Sequence, residues 1–240
     1  MRQIPHYLII GNGRVARHFH HYFSLLTLPV STWNRSESID ALTTKISNAT
    51  HVLVLIKDDA IASFFDQHSA NKNNIIWLHF SGSLVSPTVV GAHPLMTFSH
   101  ALYDLAHYKK IPFVLDHDAP DFEIILPGLS NPHVRLSKKL KAKYHALCVL
   151  SGNFSCMLWK KLFAEFEKEF NFSSMVSHPY LLQQTQNLMS DPNSALTGPL
   201  TRNDMITIEK NLHALEGDPF QNIYKEFVAC YQKIHGEKPL

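Results

Sequence analysis

The sequence predicts an α/β fold: a parallel-sheet N-terminal half, residues 1–136, followed by an all-α C-terminal half, residues 137–240. Three observations carry this. Short apolar runs alternate with helical patterns through the first half, as in strand–helix–strand units around a parallel sheet. Runs such as His51-Val52-Leu53-Val54-Leu55-Ile56 are apolar without alternation, as strands buried on both faces are. After Ser137 only helical patterns follow.

In order, strands are expected at Tyr7–Ile10, Pro29–Trp33, His51–Ile56, Asn74–Phe80, Thr88–Ala92 and Ile111–Leu115. Helices are expected between them at Arg14–Leu25, Ile39–Ile46 and Ala60–Gln67. A last helix and strand, near Asp121–Leu126 and His133–Leu136, would close the sheet. Ser137 is placed to cap a long amphipathic segment reaching Phe170. Further helices are expected near Pro179–Met189, Asp204–Leu215 and Asp218–His235. Asp218-Pro219 reads as an N-cap followed by proline at the first helical position, and Thr201-Arg202-Asn203-Asp204 is another start signal. The boundary at 136/137 is a change of pattern, with no low-complexity linker and no internal repeat.

Composition narrows the function classes. An apolar fraction of 45 %, with 15 Phe, is ample for a buried core in a chain of 240 residues. A net charge of +2 gives no global field that would favour nucleic acid or a membrane surface. The 16 His are scattered without the spacing of metal ligands, so no metal is expected. Cys148, Cys156 and Cys230 are odd in number and form no C-x-x-C pair, which fits reduced thiols. Met1-Arg2-Gln3-Ile4-Pro5 leads into an apolar run too short for a signal-peptide core, and no stretch approaches the roughly 20 apolar residues that span a bilayer. The expectation is a soluble, cytoplasmic protein.

Gly11-Asn12-Gly13-Arg14-Val15-Ala16 follows a strand and opens a helix. Gly11 permits the tight turn, Gly13 lets a pyrophosphate approach the backbone, and the small residue at 16 lets the helix pack on the strand. Free amides and the helix dipole then face the anion. In the first unit of an N-terminal domain this is the dinucleotide-binding signature of a Rossmann-type fold. The end of the second strand selects the cofactor. NAD sites place an acid there for the ribose hydroxyls, whereas this chain has Trp33-Asn34-Arg35-Ser36. A guanidinium and a hydroxyl fit a 2′-phosphate, so NADP is the expected cofactor, with Asn34, Arg35 and Ser36 as contacts; a solvated loop arginine is the alternative for Arg35. Ile56, ending the third strand, and Lys57, just after it, are expected along the cofactor's edge. Asp58 or Asp59 suits a helix N-cap better than a ligand contact.

With these features in view the chain resembles the Rossmann-like proteins whose helical C-terminal half is the domain of unknown function 2520. These are distant relatives of the 6-phosphogluconate, β-hydroxyacid and deazaflavin–NADP oxidoreductases. The resemblance rests on GNGRVA from Gly11, HFSGSL around Ser81, GAHPLMTF around His93, KYHALCVLSGN ending at Asn153, and ALTGPLTRND ending at Asp204. The family pattern favours glutamine where Met96 stands, glycine where Asn203 stands and proline where Lys57 stands. It implies fold and cofactor, and fixes no substrate.

Catalytic candidates follow from position. Ligands bind beyond the carboxyl ends of the strands in open α/β sheets. Ser81 lies in the loop after the fourth strand, where the related dehydrogenases contact substrate; a serine-glycine turn with no such duty is the alternative. His93 follows the fifth strand and precedes a proline that holds it extended; it suits a proton donor or a strand-end hydrogen bond. His145 and Asn153, eight residues apart on the expected long helix, lie on roughly one face. An imidazole titrating near neutrality suits proton transfer beside hydride transfer, and a buried structural histidine is the alternative. Lys138, Lys139, Lys141 and Lys143 read as a solvated helix face, with an acidic-substrate funnel as the alternative. Arg202 suits either a substrate carboxylate or a tie to Asp204.

The function expected is an NADP-dependent oxidoreductase moving hydride to or from a small polar substrate between the two halves. The alternative is an NADP-binding sensor or scaffold without turnover. Apolar pairs such as Leu158-Trp159 and Leu162-Phe163 point to a homodimer through the C-terminal helices.

Overall fold

A computed structural model describes residues 4–69 and 74–236. The first residues, on which the signal-peptide argument rests, therefore lie partly outside the described residues. The chain forms two compact units, Met1–Met157 and Leu158–Leu240.

Among the described residues the first unit holds one seven-stranded sheet in the order β2-β1-β3-β4-β5-β6-β7. Its strands are β1 (Tyr7–Ile10), β2 (Val30–Trp33), β3 (His51–Val54), β4 (Ile76–His79), β5 (Val90–Pro94), β6 (Phe113–Asp116) and β7 (His133–Leu136). The helices α1 (Arg14–Leu25), α2 (Ile39–Asn48), α3 (Asp58–His68), α4 (Leu105–Lys109) and α5 (Phe122–Ile125) connect them. The burial pattern of β1 shows why its run does not alternate: all four residues are buried. Tyr7 and Ile9 join one core with Phe19 and Phe23 of α1, while Leu8 and Ile10 join another with Leu42 and Ile46 of α2. Successive side chains of a strand point to opposite faces, so each face has its own helical cover.

The expectation of a wholly parallel sheet needs one correction. β6 runs antiparallel to β5, with Ala92 opposite Leu115, while every other neighbouring pair is parallel. A parallel neighbour needs a crossover, usually a full helix. Between β5 and β6 the only helix is the five-residue α4, capped by Asp104 accepting from the His107 amide, and the chain folds back at the same end. α4 has no counterpart among the predicted elements.

Beyond β7 the path is helical but not one helix. A 3-10 turn (Lys138–Leu140) leads to α6 (Lys141–Cys148), a π-helical stretch (Val149–Phe154) and α7 (Ser155–Lys168). Ser137 precedes the 3-10 turn and its side chain caps nothing, contrary to the expected cap. In the second unit, α8 (His178–Ser190), α9 (Met205–Ala214) and α10 (Phe220–His235) fall where the periodicity places them. Asp204 caps α9 through the Thr207 amide at 3.1 Å. At α10 the N-cap position falls on Pro219, one residue later than expected, and the Asp218 carboxylate instead accepts from the Phe220 amide. Of the large apolar side chains described in this unit only Ile208 and Val228 are fully buried, while Leu182, Met189, Ile206 and Ile234 stand mostly exposed.

Candidate functional site

Gly11 sits where β1, β2 and β3 end, at the point where the strand order reverses. Its amide donates to Trp33 O at 2.8 Å, and Leu55 N donates to Ile10 O at 2.9 Å. Its φ is +117°, and a Cβ there would lie 2.4 Å from Leu55 O and 3.5 Å from Ile56 Cγ2. Only glycine fits. Gly13 is the N-cap of α1, and nothing lies within 4 Å of where its Cβ would be. Neither a capping side chain nor an acidic residue occupies the first turn of α1, so among the described residues no side chain caps its first amides. Ala16, 3 % exposed, packs in the core behind the turn. Asn12 and Arg14 are exposed and Val15 is half-buried. This cradle fits a pyrophosphate.

The loop after β2 divides its duties. Asn34 Oδ1 accepts from the Ser36 amide and from Ser36 Oγ at 2.7 Å, so the Ser36 proton is committed inside the loop. Arg35 is exposed and, among the described residues, has no hydrogen bond or ion pair. Glu37 accepts from the Asn34 amide and pairs with Lys45. The Lys45 ammonium holds the Glu37 carboxyl below the usual carboxylate range. An acid therefore stands near the strand end after all, but already with a counter-ion. Lys57 is exposed and supplies the backbone N-cap of α3, with no side-chain cap. Asp58 is not a cap either. It accepts from Ser81 Oγ, and from Ser83 Oγ at 3.5 Å.

That bond ties α3 to the loop after β4. Ser81 Oγ gives its proton to Asp58 and accepts from the amides of Ser83 and Leu84. Its hydrogen-bonding capacity is spent on loop geometry. The Ser81 amide donates to His79 Nδ1 at 3.2 Å, which leaves the His79 hydrogen on Nε2. Among the described residues that nitrogen is buried without a partner.

His93 and His145 meet over Gly82. Their rings lie 6.1 Å apart at 87°. A Cβ on Gly82 would stand 2.5 Å from His145 Cδ2 and 3.1 Å from His93 Nε2. His93 Nδ1 shares a 2.8 Å hydrogen bond with Tyr144 Oη, and burial, with the neighbouring Cys148, pushes the Tyr144 phenol up. His145 makes no hydrogen bond among the described residues and is half-buried. Burial depresses both His79 and His93 to about 4, with Lys141 adding to it in each. Both are neutral at pH 7.

Lys141 overturns the solvated reading of its lysine row. Its side chain is 6 % exposed and forms a 2.7 Å ion pair with Asp116, 3 % exposed. Lys139 and Lys143 are exposed, as expected, while the half-buried Lys138 pairs with the exposed Asp118. Asn153 is exposed and lies in the π stretch, whose wider turn breaks the eight-residue spacing that would align it with His145. Arg202 is exposed, near enough to Asp204 to act on it electrostatically. The sequence names Ser81, His93 and His145, gives Asp58 and Lys141 other roles, and leaves His79, Asp116 and Tyr144 beside them unassigned.

Residues 113–230 match the domain of unknown function 2520. The DUF2520 match begins at β6, inside the sheet, and so takes in Asp116, Lys141, Tyr144 and His145. His79, Gly82 and His93 precede it. Among solved structures, a Bacteroides fragilis protein assigned as an NADP oxidoreductase is 22 % identical, with a TM-score of 0.77 over 95 % of this chain and 98 % of its own. A Thermotoga maritima protein is 20 % identical, with a TM-score of 0.67 over 96 % and 98 %. Pyrroline carboxylate reductase from Plasmodium falciparum, solved with NADP bound, is 11 % identical with a TM-score of 0.58 over 96 % and 97 %. At these identities the likeness is one of fold. No curated protein matches the sequence. Among the described residues, no helix is long and apolar enough to cross a membrane and no side-chain group could hold a metal ion.

Proposed function

We propose that this chain is an NADP-dependent oxidoreductase that moves hydride to or from a small polar substrate. The observation that carries the proposal is the uncapped head of α1 over Gly11 and Gly13, with the guanidinium of Arg35, unpartnered among the described residues, at the next strand end. Gly11, Gly13 and the first amides of α1 would hold the pyrophosphate, Arg35 the 2′-phosphate, and Ile56 and Lys57 the edge. The neutralised Glu37 removes the repulsion a free carboxylate would impose. When bound, the nicotinamide supplies or accepts the hydride. His145 is the proton donor or acceptor, because its nitrogens are uncommitted, whereas the Ser81 hydroxyl is spent on Asp58.

Calorimetry with NADPH and NADH tests the cofactor. A charge-assisted bond contributes about 1.5–3 kcal/mol, so Arg35→Ala should weaken NADPH roughly 10- to 150-fold and leave NADH nearly unchanged. Equal weakening of both would remove the phosphate contact. NADPH consumption across a panel of carbonyl and imine substrates, lost in His145→Ala with binding intact, tests turnover.

The proposal includes a homodimer through the C-terminal helices. A unit with two fully buried large apolar side chains among its described residues and many exposed ones has too little core of its own, and a second copy would cover it. Sedimentation should give twice the chain mass at micromolar protein; the monomer mass would reject this part.

A further inference from the structure

We infer that Lys141, buried against Asp116, is a positioning residue: the pair fixes the face of α6 that carries Tyr144 and His145 against β5 and the Gly82 turn. The inference rests on the oxidoreductase reading of that cluster, but its geometry is independent of cofactor.

Asp116 uses both carboxylate oxygens. Oδ1 meets Lys141 Nζ at 2.7 Å, and Oδ2 accepts from the Gly91 amide at 2.9 Å. A Cβ on Gly91 would stand 2.5 Å from Nζ and 2.7 Å from each oxygen. The ion pair fills the space of a side chain at 91, which is why a glycine stands inside β5. Tyr144 and His145 follow Lys141 by three and four residues and therefore share its helix face. His93 follows Gly91 by two and shares its side of the strand. His79 lies opposite Gly91 across β4 and β5. One ion pair thus stands at the centre of the contacts made by Tyr144 with His93 and by His145 with Gly82.

Buried ion pairs are weak contributors to stability, because desolvation offsets attraction, and their best-attested use is to fix register. Here the register fixed is that of α6 on the sheet. The ammonium also acts on the imidazoles around it. His79 is surrounded by Lys141, Asp116, Asp58 and His93; His93 is surrounded by His145, Lys141, Asp58 and the Tyr144 phenol. Lys141 opposes protonation of both, and Asp116 favours protonation of His79.

The test is an NMR titration of the imidazole signals in the full chain, for wild type, Lys141→Met and the neutral pair Lys141→Met with Asp116→Asn. The pair removes both charges together, so a folded sample is retained even where the single change leaves Asp116 uncompensated. In either folded variant the His93 titration should move upward by about one pH unit, and the Tyr144 ring signals should shift with it. An unmoved His93 titration and unmoved Tyr144 signals in the folded pair variant would overturn the inference. NADPH affinity is measured on the same samples and should stay within about twofold, a 0.4 kcal/mol change. A 100-fold loss in the variants would assign Lys141 to the cofactor instead. Absence of NADPH binding by wild type would strike the cofactor reading, while the His93 titration still decides the positioning role.

Discussion

Gly11→Ala should abolish measurable pyridine-nucleotide binding and lower the stability of the N-terminal unit by about 2–6 kcal/mol. Two costs add. An alanine at φ +117° is held in a region that L side chains rarely adopt, at about 1–3 kcal/mol. Its methyl would also stand 2.4 Å from Leu55 O and 3.1 Å from the Leu55 carbonyl carbon, and overpacking costs about 1–3 kcal/mol more. Neither atom can yield cheaply, because Leu55 and Gly11 are both tied into the strand ends by their amides. Gly13→Ala is the control. Its φ is −68° and its Cβ direction is empty, so the fold should tolerate the change while the new methyl obstructs the pyrophosphate. Urea denaturation and NADPH calorimetry on both variants separate the effects. If Gly11→Ala matched wild type in both assays, the cradle described above would be wrong.

The cradle was legible because its determinants are consecutive. Six residues from Gly11 to Ala16 encode turn, anion approach and helix packing, and α1 ends where the sequence pattern ends. Strand ends were less legible because apolar residues outlast the ladder. Leu55 and Ile56 continue the run of β3 but are loop residues that wall in Gly11. The direction of β6 was not legible at all, since it depends on how the chain from 95 to 112 returns and not on the composition of the strand.

The histidine cluster shows the limit more sharply. A lysine among lysines at the start of a helix reads as solvated, and burying it requires a partner. That partner, Asp116, is 25 residues away, and the space for the pair exists because residue 91 has no side chain. The available signals were weak but present: an acid continuing the apolar run Phe113-Val114-Leu115, and a glycine in the middle of an apolar strand. Ser81 carried the opposite lesson. Its position after β4 suited a substrate contact or a plain turn, and Asp58, 23 residues earlier, claims its proton and favours the turn.

The fold should be acid-labile well above the carboxylate range, losing about 4 kcal/mol between pH 7 and pH 5. His79 and His93 titrate near 4 in the folded chain, chiefly because burial disfavours the charged ring, and near 6.5 when unfolded. Between those values the unfolded chain binds protons that the folded chain refuses, so stability rises with pH. The contribution is fully present above pH 6.5 and is lost as pH falls toward 4. Each ring accounts for about 2 kcal/mol at pH 5. His51, depressed by burial as well, acts in the same direction. Urea denaturation followed by tryptophan fluorescence at pH 7, 6 and 5 measures the slope. His93→Gln keeps a ring-sized polar group that does not titrate here, and it should flatten the slope by about half. The same free energy of unfolding at pH 5 and 7 would mean that these imidazoles reach solvent, and the neutral, buried cluster would not exist.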